Sequence, residues 1–224
     1  MGPPDPQPLA RRVDLRNAAA VDRALNLVAI ALMAALLACG GASKAKIDKL
    51  DRNAVVLAFG DSLTFGTGAG AGESYPAVLE RNTGLKVVNG GVPGEISADG
   101  LERLSEVLDE VQPKLLILCH GGNDFLRKMD DAGVAKNVRL MIRLAKAKGI
   151  PVVLLATPKP GIPPSVPVFY GEIAAGEGIA FEAAAMKDVL FTSSLKSDPV
   201  HPNGKGYAQI AAAIEKLLKK SGAL

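Results

Sequence analysis

The sequence predicts a three-layer α/β domain built on a mostly parallel sheet, and three observations carry that prediction. Short runs rich in Val, Leu and Ile recur along the chain; segments with apolar residues on one helical face separate them; and the runs lack the polar alternation of a half-exposed strand. Strands covered on both faces by helices have this pattern.

The strand-like runs are 54–59, 85–88, 114–119 and 151–156, with a weaker one at 178–181. Between them Leu101, Leu104, Val107, Leu108 and Val111 share a helical face, as do Val134, Val138, Met141, Ile142 and Ala145. Tyr207, Ile210, Ala211, Ile214, Leu217 and Leu218 repeat the pattern at the end of the chain, where Lys216, Lys219 and Lys220 oppose the negative end of the helix dipole. In a domain of this kind, sites open at the carboxyl ends of strands.

The first 38 residues read as an address. Arg11, Arg12, Arg16 and Arg23 precede an uncharged apolar run, 27–38, which is too short to span a bilayer and has the layout of a secretory signal peptide. Its end, Leu36-Leu37-Ala38-Cys39-Gly40, resembles the lipobox of bacterial lipoproteins, in which cleavage before the cysteine leaves that residue lipid-modified. The resemblance implies a membrane partner through an anchor at Cys39, and a protein exported to the periplasm or cell envelope. Residues 39–53 read as a charged tether and residues 54–224 as the domain.

Composition excludes several classes. With 26 Lys and Arg against 23 Asp and Glu there is no strong basic field to gather nucleic acid. The 2 cysteines, Cys39 and Cys119, allow neither a disulfide scaffold nor a zinc site at ligand spacing, and no cofactor or metal is expected. Cys119 ends an apolar run and reads as a small buried hydrophobe.

Chemistry concentrates after the strand-like runs. Gly60-Asp61-Ser62-Leu63 sets a hydroxyl on a tight turn directly after the first run, where it needs a base to become nucleophilic. The chain has 2 histidines. His201 lies just before the last helix, with Asp198 three residues upstream as a carboxylate to orient it. His120 is the rival base, with Asp124 four residues on. Asn123, after Gly121-Gly122, and the backbone of Gly94 can supply donors to a developing oxyanion.

Taken together, Gly60-Asp61-Ser62-Leu63, the glycine at 94, Gly121-Gly122-Asn123-Asp124 and Asp198-x-x-His201-Pro202-Asn203 resemble the four blocks of the GDSL, or SGNH, hydrolases. The resemblance spans Ala54 to about Leu218 and implies a five-stranded, flavodoxin-like parallel sheet. It makes Ser62 the nucleophile, His201 the base, Asp198 its orienter, and the Ser62 and Gly94 N–H groups with the Asn123 amide the oxyanion hole; another register puts Gly90 or Gly91 in place of Gly94. Pro199 stands where glycine is common in the last block. Size and the Gly-Gly-Asn-Asp-Phe-Leu-Arg stretch look most like bacterial periplasmic enzymes with arylesterase, acyl-thioesterase and lysophospholipase activity.

The expected function is therefore a serine esterase acting on a small-molecule or lipid acyl ester or thioester. An O-deacetylase of cell-wall or surface glycans and an inactive anchored binding protein are the alternatives. The Gly-x-Ser-x-Gly elbow of the larger α/β-hydrolases is absent, since Thr64 takes the last glycine position. The glycine-rich run 66–72 is no dinucleotide fingerprint, because it does not turn straight from strand to helix; it reads as a flexible rim loop. Leu63, Phe65, Phe125, Ile162 and Val200 are candidates for an acyl groove or for core packing.

Overall fold

Val55–Gly60 (β1), Lys86–Gly91 (β2), Leu115–Cys119 (β3), Val152–Leu155 (β4) and Ala180–Glu182 (β5) form one sheet in the computed structural model, which describes Gly2 and residues 45–224. The order is β2-β1-β3-β4-β5 and every pairing is parallel. This is the expected flavodoxin-like order, whose crevice lies where the chain reverses direction, between β1 and β3.

Successive residues of each strand feed opposite layers, as the two-residue period of a strand requires. Val56, Ala58, Leu115, Ile117 and Val153 pack with Tyr75, Leu79, Ile210 and Ile214; Leu57, Phe59, Leu116, Leu118 and Leu154 pack with Leu104, Leu108, Val138, Met141 and Ile173. Two helices expected from periodicity, Ser97–Val111 and Asp131–Ala147, cover the second face, while the third, Gly204–Ser221, covers the first.

Other helices carried no periodic signal. In chain order the helices are Ser62–Phe65 (α1), Tyr75–Thr83 (α2), Ser97–Val111 (α3), Gly122–Leu126 (α4), Asp131–Ala147 (α5), Phe169–Glu177 (α6), Ala185–Phe191 (α7) and Gly204–Ser221 (α8). In α6 the sequence FYGEIAAGE is apolar on most sides, so no stripe marks it. Gly178, at φ 64°, ends that helix in the left-handed conformation, which is why β5 begins at Ala180 rather than at 178. β2 runs three residues past the expected 88 because its glycines allow a close approach: a Cβ on Gly91 would lie 2.2 Å from the Phe65 nitrogen.

The tether expected over 39–53 is docked where it is described. The Ile47 N–H donates to the Ser221 carbonyl and the Leu50 N–H to the Ala223 carbonyl, both at 2.9 Å. Ile47 is 4% exposed and joins the first core. Charge alone suggested a free spacer; two apolar side chains among the lysines and aspartates were enough to seat it against the end of α8. The signal-peptide and Cys39 assignments fall outside the described residues. Ile47→Ala should lower unfolding free energy by about 2–4 kcal/mol, as a buried large-to-small change does; denaturant titration checks this.

Candidate active site

At the end of β1 the chain must pass close to β3, and the Gly-Asp-Ser turn follows from that. The Asp61 carboxylate, 1% exposed, accepts the Leu63 N–H at 3.0 Å and so caps α1, whose first residue is Ser62. The Tyr207 hydroxyl donates to the Thr67 carbonyl at 2.9 Å, pinning the glycine-rich loop to α8. Gly68 of that loop abuts Ser197 and Pro202, so the run expected as a flexible rim is packed beneath the segment that carries His201.

That segment is shaped by Asp198. One carboxylate oxygen accepts the N–H groups of Val200 and His201, each at 2.8 Å; the other accepts from His201 Nδ1 at 2.7 Å. Pro199, the departure from the family pattern, costs this turn nothing, because the N–H groups it uses belong to residues 200 and 201. Burial alone would raise the Asp198 carboxyl; the Val200 and His201 hydrogen bonds outweigh it and hold the group below its ordinary value. Asn203 fixes the far end: its side-chain oxygen accepts the Gly206 N–H and caps α8, while its amide donates to the Ser194 and Lys196 carbonyls.

These pieces put His201 Nε2 at 3.0 Å from Ser62 Oγ. With Nδ1–H given to Asp198, Nε2 is left to accept the serine proton. Asn123 lines the same cleft and donates its amide to the Glu95 carbonyl at 3.0 Å, with a longer contact of 3.4 Å to Asp61. Gly94, at φ 82°, sits on the turn before Glu95 and is held through its carbonyl by Arg127 at 2.9 Å. The N–H groups of Ser62 and Gly94 have no acceptor among the described residues, whereas the Gly91 N–H is committed to the Asn89 side chain at 3.0 Å.

His120 is elsewhere. It is fully buried, and its Nε2 lies 3.0 Å from Glu95 rather than on the carboxylate anticipated at 124. Asp124 instead accepts from the Ser97 backbone and hydroxyl, at 2.9 and 2.6 Å. Glu95 also takes Arg103 at 2.5 Å. Cys119 is buried too, and burial pushes its thiol up to about 12, which leaves it protonated and inert at neutral pH.

Ser62, Asn123 and His201 border a cleft of about 330 Å³. Leu63, Ile162 and Val200 line it as anticipated; Phe65 is exposed outside it, and Phe125 packs in the core against Phe169 and Tyr170. Leu126 and Leu190 line it without having been singled out, and Pro199 joins them. Leu126 adjoins the Gly-Gly-Asn-Asp block and so had a local clue, but Leu190 arrives from α7, and nothing local links it to the serine.

Proton transfer along a serine–histidine–carboxylate line at the edge of a parallel sheet is acyl-transfer chemistry, and a carboxylic ester hydrolase is the class into which this chain falls. Comparison with known proteins narrows the class: the chain belongs to the GDSL-like Lipase/Acylhydrolase family, whose profile matches residues 58–209. It is 30% identical over 181 residues to Esterase TesA of Pseudomonas aeruginosa, covering 76% of this chain and 90% of that protein. It is 27% identical over 172 residues to Thioesterase 1/protease 1/lysophospholipase L1 of Escherichia coli, covering 73% of this chain and 83% of that protein. Among solved structures, the crystal structure of TesA matches with a TM-score of 0.67 at 28% identity, over 75% of this chain and 99% of that one. AlinE4, described as an SGNH-hydrolase family esterase, matches with a TM-score of 0.59 at 28% identity, over 77% and 98%.

The buried carboxylate beside this site has a measurable pH signature. Burial pulls the Glu95 carboxyl upward, but hydrogen bonds from His120 and Arg103 more than offset it and hold the group below its ordinary 4.5. A carboxyl depressed in the folded state stabilises the fold above its unfolded value, and that contribution is lost as pH falls through the folded value. Urea unfolding between pH 7 and pH 3 should therefore show Glu95→Gln less stable than wild type at neutral pH and falling less steeply below pH 4.5; parallel curves would count against the charge network.

Proposed function

We propose that this chain hydrolyses acyl esters and thioesters, lysophospholipids among them, through an acyl-enzyme on Ser62. The observation that carries the reading is the continuous line from Ser62 Oγ through His201 to Asp198, with contacts of 3.0 and 2.7 Å. Ser62 Oγ attacks the substrate carbonyl while His201 Nε2 takes its proton and Asp198 balances the imidazolium. The Ser62 and Gly94 N–H groups and the Asn123 amide receive the oxyanion. Collapse expels the alcohol or thiol with the proton from His201. A water molecule, deprotonated by the same imidazole, then attacks the acyl-enzyme and frees the acid. Leu63, Leu126, Ile162, Leu190 and Val200 support an acyl chain as the occupant of the cleft, since an apolar lining favours hydrocarbon over a glycan.

A serine-directed phosphonate should add to Ser62, and Ser62→Ala and His201→Ala should each lower kcat by several powers of ten. Asn123→Ala should lower kcat about 100- to 1000-fold with KM little changed. Adduct on another residue, or near-wild-type turnover in Ser62→Ala, would overturn the assignment.

We propose also that residues 1–38 are removed on export and that Cys39 carries a lipid anchor, a reading supported by the basic, apolar and lipobox-like succession of the sequence. Residues 46–50 are docked beside positions that precede the strands, such as Lys114 and Pro151, whereas the cleft is lined by residues that follow them. In a parallel sheet these are opposite edges. Mass spectrometry should find a lipid-modified amino terminus at Cys39, and Cys39→Ser should release the protein with turnover of a soluble ester unchanged. An unmodified terminus at another residue would replace anchoring with ordinary secretion.

A further inference from the structure

His120 takes no part in the proton line, yet the fold goes to some length to bury it in a defined partnership. Its Nδ1 accepts the Gly121 N–H at 3.2 Å, which leaves the Nε2 proton to donate to Glu95 Oε2 at 3.0 Å. Room for this contact comes from Gly100 of α3, where a Cβ would lie 2.3 Å from His120 Nε2. Arg103, one turn further along α3, donates from Nε to Glu95 Oε1 at 2.5 Å and from its terminal nitrogen to Oε2 at 2.8 Å. The same nitrogen reaches the Gly90 carbonyl at 2.8 Å, and the guanidinium lies 3.9 Å over the Phe59 ring. The Glu95 side chain is thereby fastened to residues at the carboxyl ends of β1, β2 and β3.

Packing alone does not call for such a network, since buried ion clusters are often no more stabilising than apolar groups of the same volume. What distinguishes Glu95 is its backbone. It directly follows Gly94, and its carbonyl is the acceptor that orients the Asn123 amide, at 3.0 Å. We infer that Glu95, clamped by Arg103 and His120, is a positioning residue that holds the oxyanion donors of Asn123 and Gly94 in register with Ser62, an inference that rests on the roles proposed above for those donors. Displacing a donor by about 1 Å is enough to cost on the order of 100-fold in rate, so a rigid clamp behind the donor loop has a catalytic consequence.

The test is a double-mutant cycle on the full chain, read as kcat and KM for a soluble ester. His120→Leu removes the Nε2 donor from a site walled by Phe59. It should lower kcat about 10- to 100-fold with KM within about twofold, and His120→Gln, whose amide can still donate to Glu95, should recover most of the loss. In an Asn123→Ala background the added loss should fall well short of the loss in the single variant, the remainder acting through Gly94. Glu95→Gln carries the same comparison should His120→Leu not fold. Full additivity with Asn123→Ala, or unchanged kcat in a folded His120→Leu, overturns the positioning role. An Asn123→Ala variant with wild-type kcat would instead overturn the oxyanion assignment on which it rests.

Discussion

A side chain at position 60 would place its Cβ 2.0 Å from the Cys119 carbonyl oxygen and 2.5 Å from Thr64 Oγ1, so β1 can end only in glycine. Much else follows from that close approach. It lets the chain turn at once into Asp61, whose carboxylate closes the first turn of α1 on the Leu63 N–H. It brings the end of β1 against β3 on one side while Gly91 of β2 passes Phe65 on the other. Ser62 therefore emerges at the point where the order β2-β1-β3 reverses direction, with the loops of both neighbouring strands within reach.

The two apolar layers would tolerate many side chains of similar volume; the carboxyl edge of the sheet is less forgiving. Asp61, Glu95 and Asp124 are all buried there. Each carboxylate is handled differently. Asp124 takes the Ser97 N–H and hydroxyl, Glu95 takes donors from Arg103 and His120, and Asp61, for which burial is the dominant influence, is raised above its ordinary value. Among the described residues no buried side-chain nitrogen or oxygen lacks a partner. In a medium of low dielectric such satisfied networks rigidify what they touch, and here they touch the loops bearing Gly94 and Asn123.

Layers can be repacked with other apolar residues as long as their volume and pattern persist. The serine turn, the Asn-bearing turn and the Asp-x-x-His turn depend instead on particular glycines and capping side chains at strand ends. The cleft beside them is assembled from α7, the loop after β4 and the His201 segment, connecting pieces that tolerate change more readily than the sheet does.

Local patterns in the sequence determined a great deal: the apolar runs that became β1 to β5, the faces of α3, α5 and α8, and the grouping of Ser62, Asn123, Asp198 and His201 into blocks. Those signals are legible because strand and helix periods, caps and tight turns are properties of a few consecutive residues. Tertiary structure decided what depends on distance between remote segments. It separated the two histidines, placing His201 3.0 Å from Ser62 and His120 in the grip of Glu95, 25 positions away in the chain. It also seated Ile47 against α8, left Phe65 outside the cleft and brought Leu190 into it. No local pattern can report such contacts, because each is made between side chains whose proximity exists only after the sheet has closed in its particular order.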